Sequence, residues 1–169
     1  MGFFSKLFSK KEEPKVLKSI IKAPINGRVL PISEVPDETF ATKMLGDGIG
    51  IEPIESGTIV APVDGVIGQL FETGHAFTVE TKEGVNILVH FGLNTVELKG
   101  QGFEIIAKEG DNVKAGDPII KYDLEFLKAN SPSVITPVVV LDSEEYKSIK
   151  TFENQTVHAG NETIIEIEL

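Results

Sequence analysis

Short runs rich in valine and isoleucine, each five to eight residues long, are cut off repeatedly by glycine, proline and aspartate. They lie at Gly27–Ile32, Gly48–Ile54, Val66–Phe71, Phe77–Thr81, Val85–His90, Pro118–Tyr122, Val134–Leu141 and Thr163–Ile167. Segments this short and β-branched bury a face only by pairing with one another, so the punctuation predicts an all-β chain closed into a sandwich or barrel. Helical pattern is confined to Pro36–Met44, to Leu124–Ala129 after Asp123, and to Ser143–Lys150 behind Asp142. These pieces read as flaps and connectors rather than a helical layer.

One strand entrance occurs twice. Ala23-Pro24-Ile25-Asn26-Gly27-Arg28-Val29 matches Ala61-Pro62-Val63-Asp64-Gly65-Val66-Ile67, 38 residues later. Each copy is an X-Pro step followed by Asn-Gly or Asp-Gly, a turn that feeds a strand. Two copies of one strand–turn unit imply a duplicated β-motif.

The chain has 169 residues, of which 41% are hydrophobic, enough for one compact core. It contains no cysteine, which excludes disulfides, thiol chemistry and cysteine-based metal sites and points to an intracellular protein. A net charge of −10 argues against nucleic-acid binding, which needs a basic surface to displace counterions. The charge is uneven, because Lys6, Lys10, Lys11, Lys15, Lys18 and Lys22 face only Glu12 and Glu13, leaving +4 over residues 1–22 and −14 over 23–169. With Phe3, Phe4, Leu7 and Phe8 on one helical arc, residues 1–18 read as a basic, amphipathic, disordered tail ahead of a domain at 19–169. Such a tail is too short to be a signal peptide or to span a bilayer. It fits either contact with an anionic membrane or a frayed terminus.

The chemistry centres on histidine. Segments Phe71–Thr81 and Val85–Phe91 flank Lys82-Glu83-Gly84 and read as a hairpin. A two-residue loop would pair position 81 with 84 and therefore 75 with 90, and directly opposed positions have Cβ atoms only about 5 Å apart. A bulge at Gly84 would slip that register by one residue. Either way His75 and His90 are neighbours. No lysine or arginine occurs from Phe71 to Thr81 or from Val85 to Leu98, and Phe71, Phe77, Leu88, Val89, Phe91 and Leu93 supply apolar surroundings. A neutral imidazole is an effective nucleophile near pH 7, and a backbone carbonyl on one nitrogen leaves the other facing outward. No Gly-x-x-x-x-Gly-Lys-[Ser/Thr] loop is present, which disfavours nucleotide hydrolysis and favours a protein-to-protein phosphoryl relay. His158, before Ala159-Gly160, reads as structural.

The run Phe71-Glu72-Thr73-Gly74-His75-Ala76-Phe77, followed by Val89-His90-Phe91-Gly92-Leu93-Asn94-Thr95-Val96-Glu97-Leu98-Lys99-Gly100, closely resembles the glucose-type enzyme IIA component of the bacterial phosphoenolpyruvate:sugar phosphotransferase system. Val35-Pro36-Asp37, Gly46-Asp47-Gly48 and Thr136-Pro137-Val138-Val139 support the resemblance. It implies a duplicated-hybrid-motif antiparallel β-sandwich with a few short helices. It also implies a cytoplasmic phosphocarrier, with phosphorylated HPr as donor and the IIB domain of a glucose-type sugar permease as acceptor. His90 falls on the phosphorylated histidine, His75 on the residue that steadies the phosphoryl group, and Thr73 on one that hydrogen-bonds and orients. Backbone N–H groups after Gly92 would add dipolar stabilisation of the phosphate. Val35, Asp37, Phe40, Phe71, Phe77, Leu88 and Asn94 fall in regions matching the docking face. Asn94 departs from the aspartate usual there, and Gly74 from an asparagine.

No cofactor is required on this reading. His75 and His90 make half of a zinc site, so zinc is conditional on a further ligand from a partner, as the resemblance allows with a regulatory target. Three alternatives have distinct signatures. A LytM-type zinc peptidase would need His-x-His, whereas Phe91-Gly92 follows His90. A biotinyl or lipoyl carrier would place a lysine adduct in Gly110–Asp117, which here reads as a β-turn with an exposed Lys114. A non-catalytic regulatory binder of the same fold would take up no phosphate on His90.

Overall fold

The structure, a computed structural model, describes residues 17–169, so all but the last two residues of the tail expected at 1–18 lie outside the described residues. The strands are β1 (Lys18–Lys22), β2 (Gly27–Pro31), β3 (Gly48–Pro53), β4 (Gly57–Val60), β5 (Gly65–Leu70), β6 (Ala76–Glu80), β7 (Asn86–His90), β8 (Phe103–Ile105), β9 (Asn112–Val113), β10 (Pro118–Tyr122), β11 (Thr136–Val140), β12 (Ser148–Thr151), β13 (Thr156–Val157) and β14 (Thr163–Glu168). Two short helices, α1 (Glu38–Ala41) and α2 (Leu124–Asn130), are each opened by an aspartate. Asp37 Oδ1 accepts the Thr39 N–H and Asp123 Oδ1 the Phe126 N–H, satisfying donors that a helix start leaves orphaned. The fold is antiparallel β throughout, as the punctuation predicts. An eight-stranded sheet runs β13-β2-β3-β11-β7-β6-β5-β9, and two three-stranded sheets run β1-β14-β12 and β4-β10-β8.

The strand order of the large sheet is a palindrome about the β11–β7 pair. β2 and β5, which begin with the repeated turns, take mirrored places, as do β3 and β6, and β13 and β9. The two turns also hold each other: Lys22 N–H donates to Pro62 C=O at 2.7 Å and Val60 N–H to Pro24 C=O at 2.8 Å. Asn26 Oδ1 accepts the Ala159 N–H and Asp64 Oδ1 the Ala115 N–H, so the Asn/Asp position does the same work in both copies. The duplication read from seven residues therefore extends across both halves of the large sheet.

Alternation along the strands divides the apolar residues between two clusters. Phe77, Val79, Ile87, Val89, Val138 and Val140 point to the main core between the sheets. Ala76, Leu88 and Val139 point to the opposite face of the large sheet, where Ile32, Val35 and Phe40 from the β2–β3 connection cover them. Gly50 lets that connection approach, since a Cβ there would lie 2.9 Å from Val35 Cγ2.

One helical expectation fails. Ser143–Lys150 holds a single 3₁₀ turn at Ser143–Glu145, and then Ser148–Thr151 becomes an edge strand on β14. Asp142 sits in the left-handed region at φ 53 and its side chain makes no cap bond, so nothing starts an α-helix, while β14 offers a free ladder. Strands β1, β4, β8, β9, β12 and β13 were not legible as apolar runs; each is short or largely exposed on one face.

Candidate functional site: two imidazoles on one hairpin

The β6–β7 hairpin turns through Gly84 at φ +88, a conformation that favours glycine, and its register slips by the one residue such a bulge allows. Ala76, not His75, stands opposite His90. His75 lies one residue beyond the strand, where its carbonyl accepts the Phe91 N–H at 2.7 Å. The two rings meet edge to face, with centroids 5.0 Å apart and planes at 80°.

Each ring has one nitrogen committed. His90 Nδ1 lies 2.8 Å from the Gly92 carbonyl oxygen. A carbonyl only accepts, so Nδ1 carries the proton and Nε2 keeps its lone pair. His75 Nδ1 lies 2.5 Å from Thr73 Oγ1. Phe40 packs against the His90 ring at 5.2 Å between centroids, and Phe71 against His75 at 5.1 Å. Burial pushes the His75 pKa down to about 4, with the neighbouring His90 adding to the effect. Burial also lowers that of His90, against smaller opposing contributions from the Gly92 hydrogen bond and from Asp37. Both imidazoles are thus neutral at pH 7.

The residues expected on a docking face divide. Asn94 is exposed, and Asp37 and Phe71 are half-buried. Phe77 is 0% exposed and belongs to the main core, because position 77 points to the other side of the sheet from position 76. Val35, Phe40 and Leu88 are buried together in the second cluster, and Phe40 packs against the His90 ring. Composition marked these residues as apolar neighbours, but which side of the sheet they face was set by register. Exposed apolar side chains instead come from the segments that flank them: Met44 and Leu45 after α1, and Val96 after Asn94. Asp37, as the α1 cap, already spends one oxygen on Thr39.

Of the backbone N–H groups after Gly92, that of Leu93 is taken by the Ser133 carbonyl at 2.9 Å. His158 lies far from this hairpin in sequence and pairs with Glu162 at 3.0 Å. Lys114 occupies the matching turn of the other copy, where its N–H donates to Asp117. Among the described residues no cluster of three or more His, Cys, Asp or Glu side chains is placed to hold a metal ion. Among the described residues, His75 and His90 are therefore two donors without a third.

A β-sandwich that sets two neutral imidazoles side by side over an apolar bed, with no cation in either strand, has the make-up of a group-transfer carrier rather than of a hydrolase. Comparison with known proteins gives the class a family. Residues 19–146 match the family described as phosphoenolpyruvate-dependent sugar phosphotransferase system, EIIA 1. The chain belongs to that family, and it is a phosphocarrier component of the sugar phosphotransferase system. It is 47% identical over 168 residues to the PTS system glucose-specific EIIA component of Haemophilus influenzae, covering 99% of both chains. It is 45% identical over 146 residues to the glucose-specific EIICBA component of Staphylococcus carnosus, covering 86% of this chain and 21% of that one. The glucose permease IIA of Mycoplasma capricolum superposes with a TM-score of 0.79 at 35% identity, over 90% of this chain and 96% of that one. None of the described helices is long and apolar enough to cross a membrane.

Proposed function

We propose that His90 is the phosphoryl acceptor and that the relay runs from phosphorylated HPr through His90 to the IIB domain of a glucose-type permease. The observation that carries this is the Nδ1–Gly92 hydrogen bond, which leaves Nε2 as the free nucleophilic nitrogen of an imidazole that is neutral at pH 7. In the transfer, Nε2 attacks phosphorus in line, the bond from phosphorus to the donor breaks as the P–Nε2 bond forms, and the Nδ1 proton stays on Nδ1, donated to the Gly92 carbonyl. With the Thr73 hydroxyl donating to its Nδ1, His75 carries its proton on Nε2 and can donate it to a phosphoryl oxygen. The apolar bed supplies no cation, so charge beyond that must come from the docked donor. Asp37 lies close enough to act on the charge of His90 and Phe71 packs against His75, while Asn94 is exposed nearby in sequence and Met44, Leu45 and Val96 offer an apolar contact surface.

The acceptor reading rests on the relatives. The name EIICBA in Staphylococcus carnosus joins an A component to B and C components in one chain, which fits a IIB acceptor here. The glucose-specific names of the relatives support a glucose-type permease. A cytoplasmic location, with the basic N-terminal segment touching an anionic membrane near the permease, completes the picture, and regulatory targets would read the phosphorylation state of the same face. Zinc would sit between His75 and His90 only if a bound target adds a carboxylate, and no step of the relay runs through it.

The test is incubation with phosphoenolpyruvate, enzyme I and HPr, followed by mapping of acid-labile phosphate. Phosphate on His90 is expected. Phosphate on His75, or none on the chain, would overturn the assignment.

A further inference from the structure

Thr95 is polar yet fully buried. Its hydroxyl donates to the Phe91 carbonyl at 2.6 Å, the peptide immediately before Gly92. Its methyl group lies against Gly92 itself, where an added Cβ would come within 2.8 Å of Thr95 Cγ2. The Ser133 carbonyl would stand 2.9 Å from the same Cβ and accepts the Leu93 N–H at 2.9 Å. Ser133 is itself held in place, because its hydroxyl accepts the Ile135 N–H and the Ser131 hydroxyl ties the turn to Leu127 of α2.

The Gly92 carbonyl and the Leu93 N–H belong to one planar peptide, in which C=O and N–H point in opposite directions. Pinning the N–H to Ser133 therefore aims the C=O at His90 Nδ1. Gly92 sits at φ +69, and glycine is the residue least able to prevent a peptide from turning over. A turned peptide would present its N–H to Nδ1. That nitrogen would become the acceptor, the proton would move to Nε2, and the nucleophilic lone pair would be lost.

We infer that Thr95, which holds the 91–92 peptide, and the Ser133 carbonyl, which holds the 92–93 peptide, together clamp Gly92 and so set the tautomer of His90, which makes Thr95 a positioning residue for phosphoryl uptake. The inference rests on His90 being the acceptor only for its effect on transfer; its effect on the tautomer stands independently.

The experiment uses the full chain in three forms: wild type, Thr95→Val, which removes the hydroxyl and keeps the shape, and Thr95→Ser, which keeps the hydroxyl. Nitrogen chemical shifts of the His90 ring read the tautomer, and phosphate incorporation from HPr reads the rate. Thr95→Val should shift the ring measurably toward the Nε2–H form and slow uptake by about tenfold, the scale of one lost hydrogen bond. Thr95→Ser should recover most of both. A folded Thr95→Val with wild-type ring shifts overturns the clamp, whatever its uptake rate. Altered shifts with phosphate mapped elsewhere than His90 would keep the clamp and remove the acceptor assignment. If Thr95→Val does not fold, amide exchange in the wild type decides: the Leu93 N–H should be strongly protected, and free exchange at Leu93 overturns the clamp.

Discussion

The two halves of the large sheet share a framework and differ in what they carry. Arg28 pairs with Glu52 in one half as Val66 pairs with Glu80 in the other, and Thr136 pairs with Ile51 as Ile87 pairs with Val79. Following those ladders, Asp47 stands in the place of His75 and Val139 in the place of His90. The equivalence reaches the backbone: Val140 N–H donates to Asp47 C=O at 2.8 Å, as Phe91 N–H does to His75 C=O at 2.7 Å. One half thus sets two imidazoles over its sheet end. The other fills the same position with a fully buried valine, and Asp47 turns its side chain to the Gly48 N–H and to Lys43. Duplication supplied the scaffold, and a few side chains on one copy supplied the chemistry. Stability and reactivity are therefore separable, and substitutions at mirrored positions should pull them apart.

The largest expected effect is at the His90–Val139 pair. His90→Gln should lose phosphate incorporation altogether while its melting temperature moves by no more than about 3 °C, within the range of a 1 kcal/mol change. Val139→Ala opens a gap in the second cluster and should cost roughly 2 kcal/mol, or about 4–8 °C of melting temperature, while still becoming phosphorylated. Equal losses of stability at the two positions, in thermal denaturation followed by circular dichroism, would mean that the halves are not divided in this way.

Next comes the pair of histidines itself. His75→Gln should still accept phosphate from HPr but pass it to a IIB domain poorly, because the acceptor nitrogen on His90 is intact while the proton donated to the phosphoryl group is gone. Undiminished donation in a two-step transfer assay would remove that role from His75.

A smaller effect separates the halves by pH. The folded pKa of His75 is lowered to about 4 and that of His90 is lowered too, so between pH 6.5 and about 4 the unfolded chain binds more protons than the folded one. The contribution to stability is full above pH 6.5 and is lost as pH falls toward 4. Urea denaturation at pH 7 and pH 5 should show that loss, and it should shrink in His75→Gln. Mirrored variants such as Val139→Ala should keep it whole, and an unchanged pH dependence in His75→Gln would place its source elsewhere.

The smallest effect tests the likeness rather than the difference. Asn26→Ala and Asp64→Ala each remove one side-chain acceptor from a backbone N–H in the mirrored turns, and each should cost about 1 kcal/mol. Both should leave phosphate uptake as in the wild type. A large loss in one and none in the other would break the symmetry of the framework.

Much of this was legible in the chain because it is local. Gly, Pro and Asp between β-branched runs announced an antiparallel β-protein, since turn residues act within four positions of themselves. The repeat at 23–29 and 61–67 announced the duplication, and the spacing of His75 and His90 around Lys82-Glu83-Gly84 brought the rings together to within one residue of register. Asp123 announced one helix start, while the capping role of Asp37 came only with the structure. Ser143–Lys150 misled because helical periodicity in eight residues is weak evidence against a neighbouring strand with unpaired backbone. Phe77 misled because strand alternation has a period of two, and one residue of bulge decides which face an aromatic ring takes.

The sequence by itself determined the residue types: two histidines on apolar hairpin strands that carry no cation, no cysteine, and a carrier's family signature. Only the tertiary structure decided which nitrogen of His90 is free, because that depends on Gly92 and, behind it, on Ser133 about forty residues further along the chain. It also decided which apolar side chains lie beneath the site and which remain open to a partner. Those choices are made by peptide orientation and strand register, which are fixed by hydrogen bonds between segments distant in sequence, and no local pattern of residues encodes them.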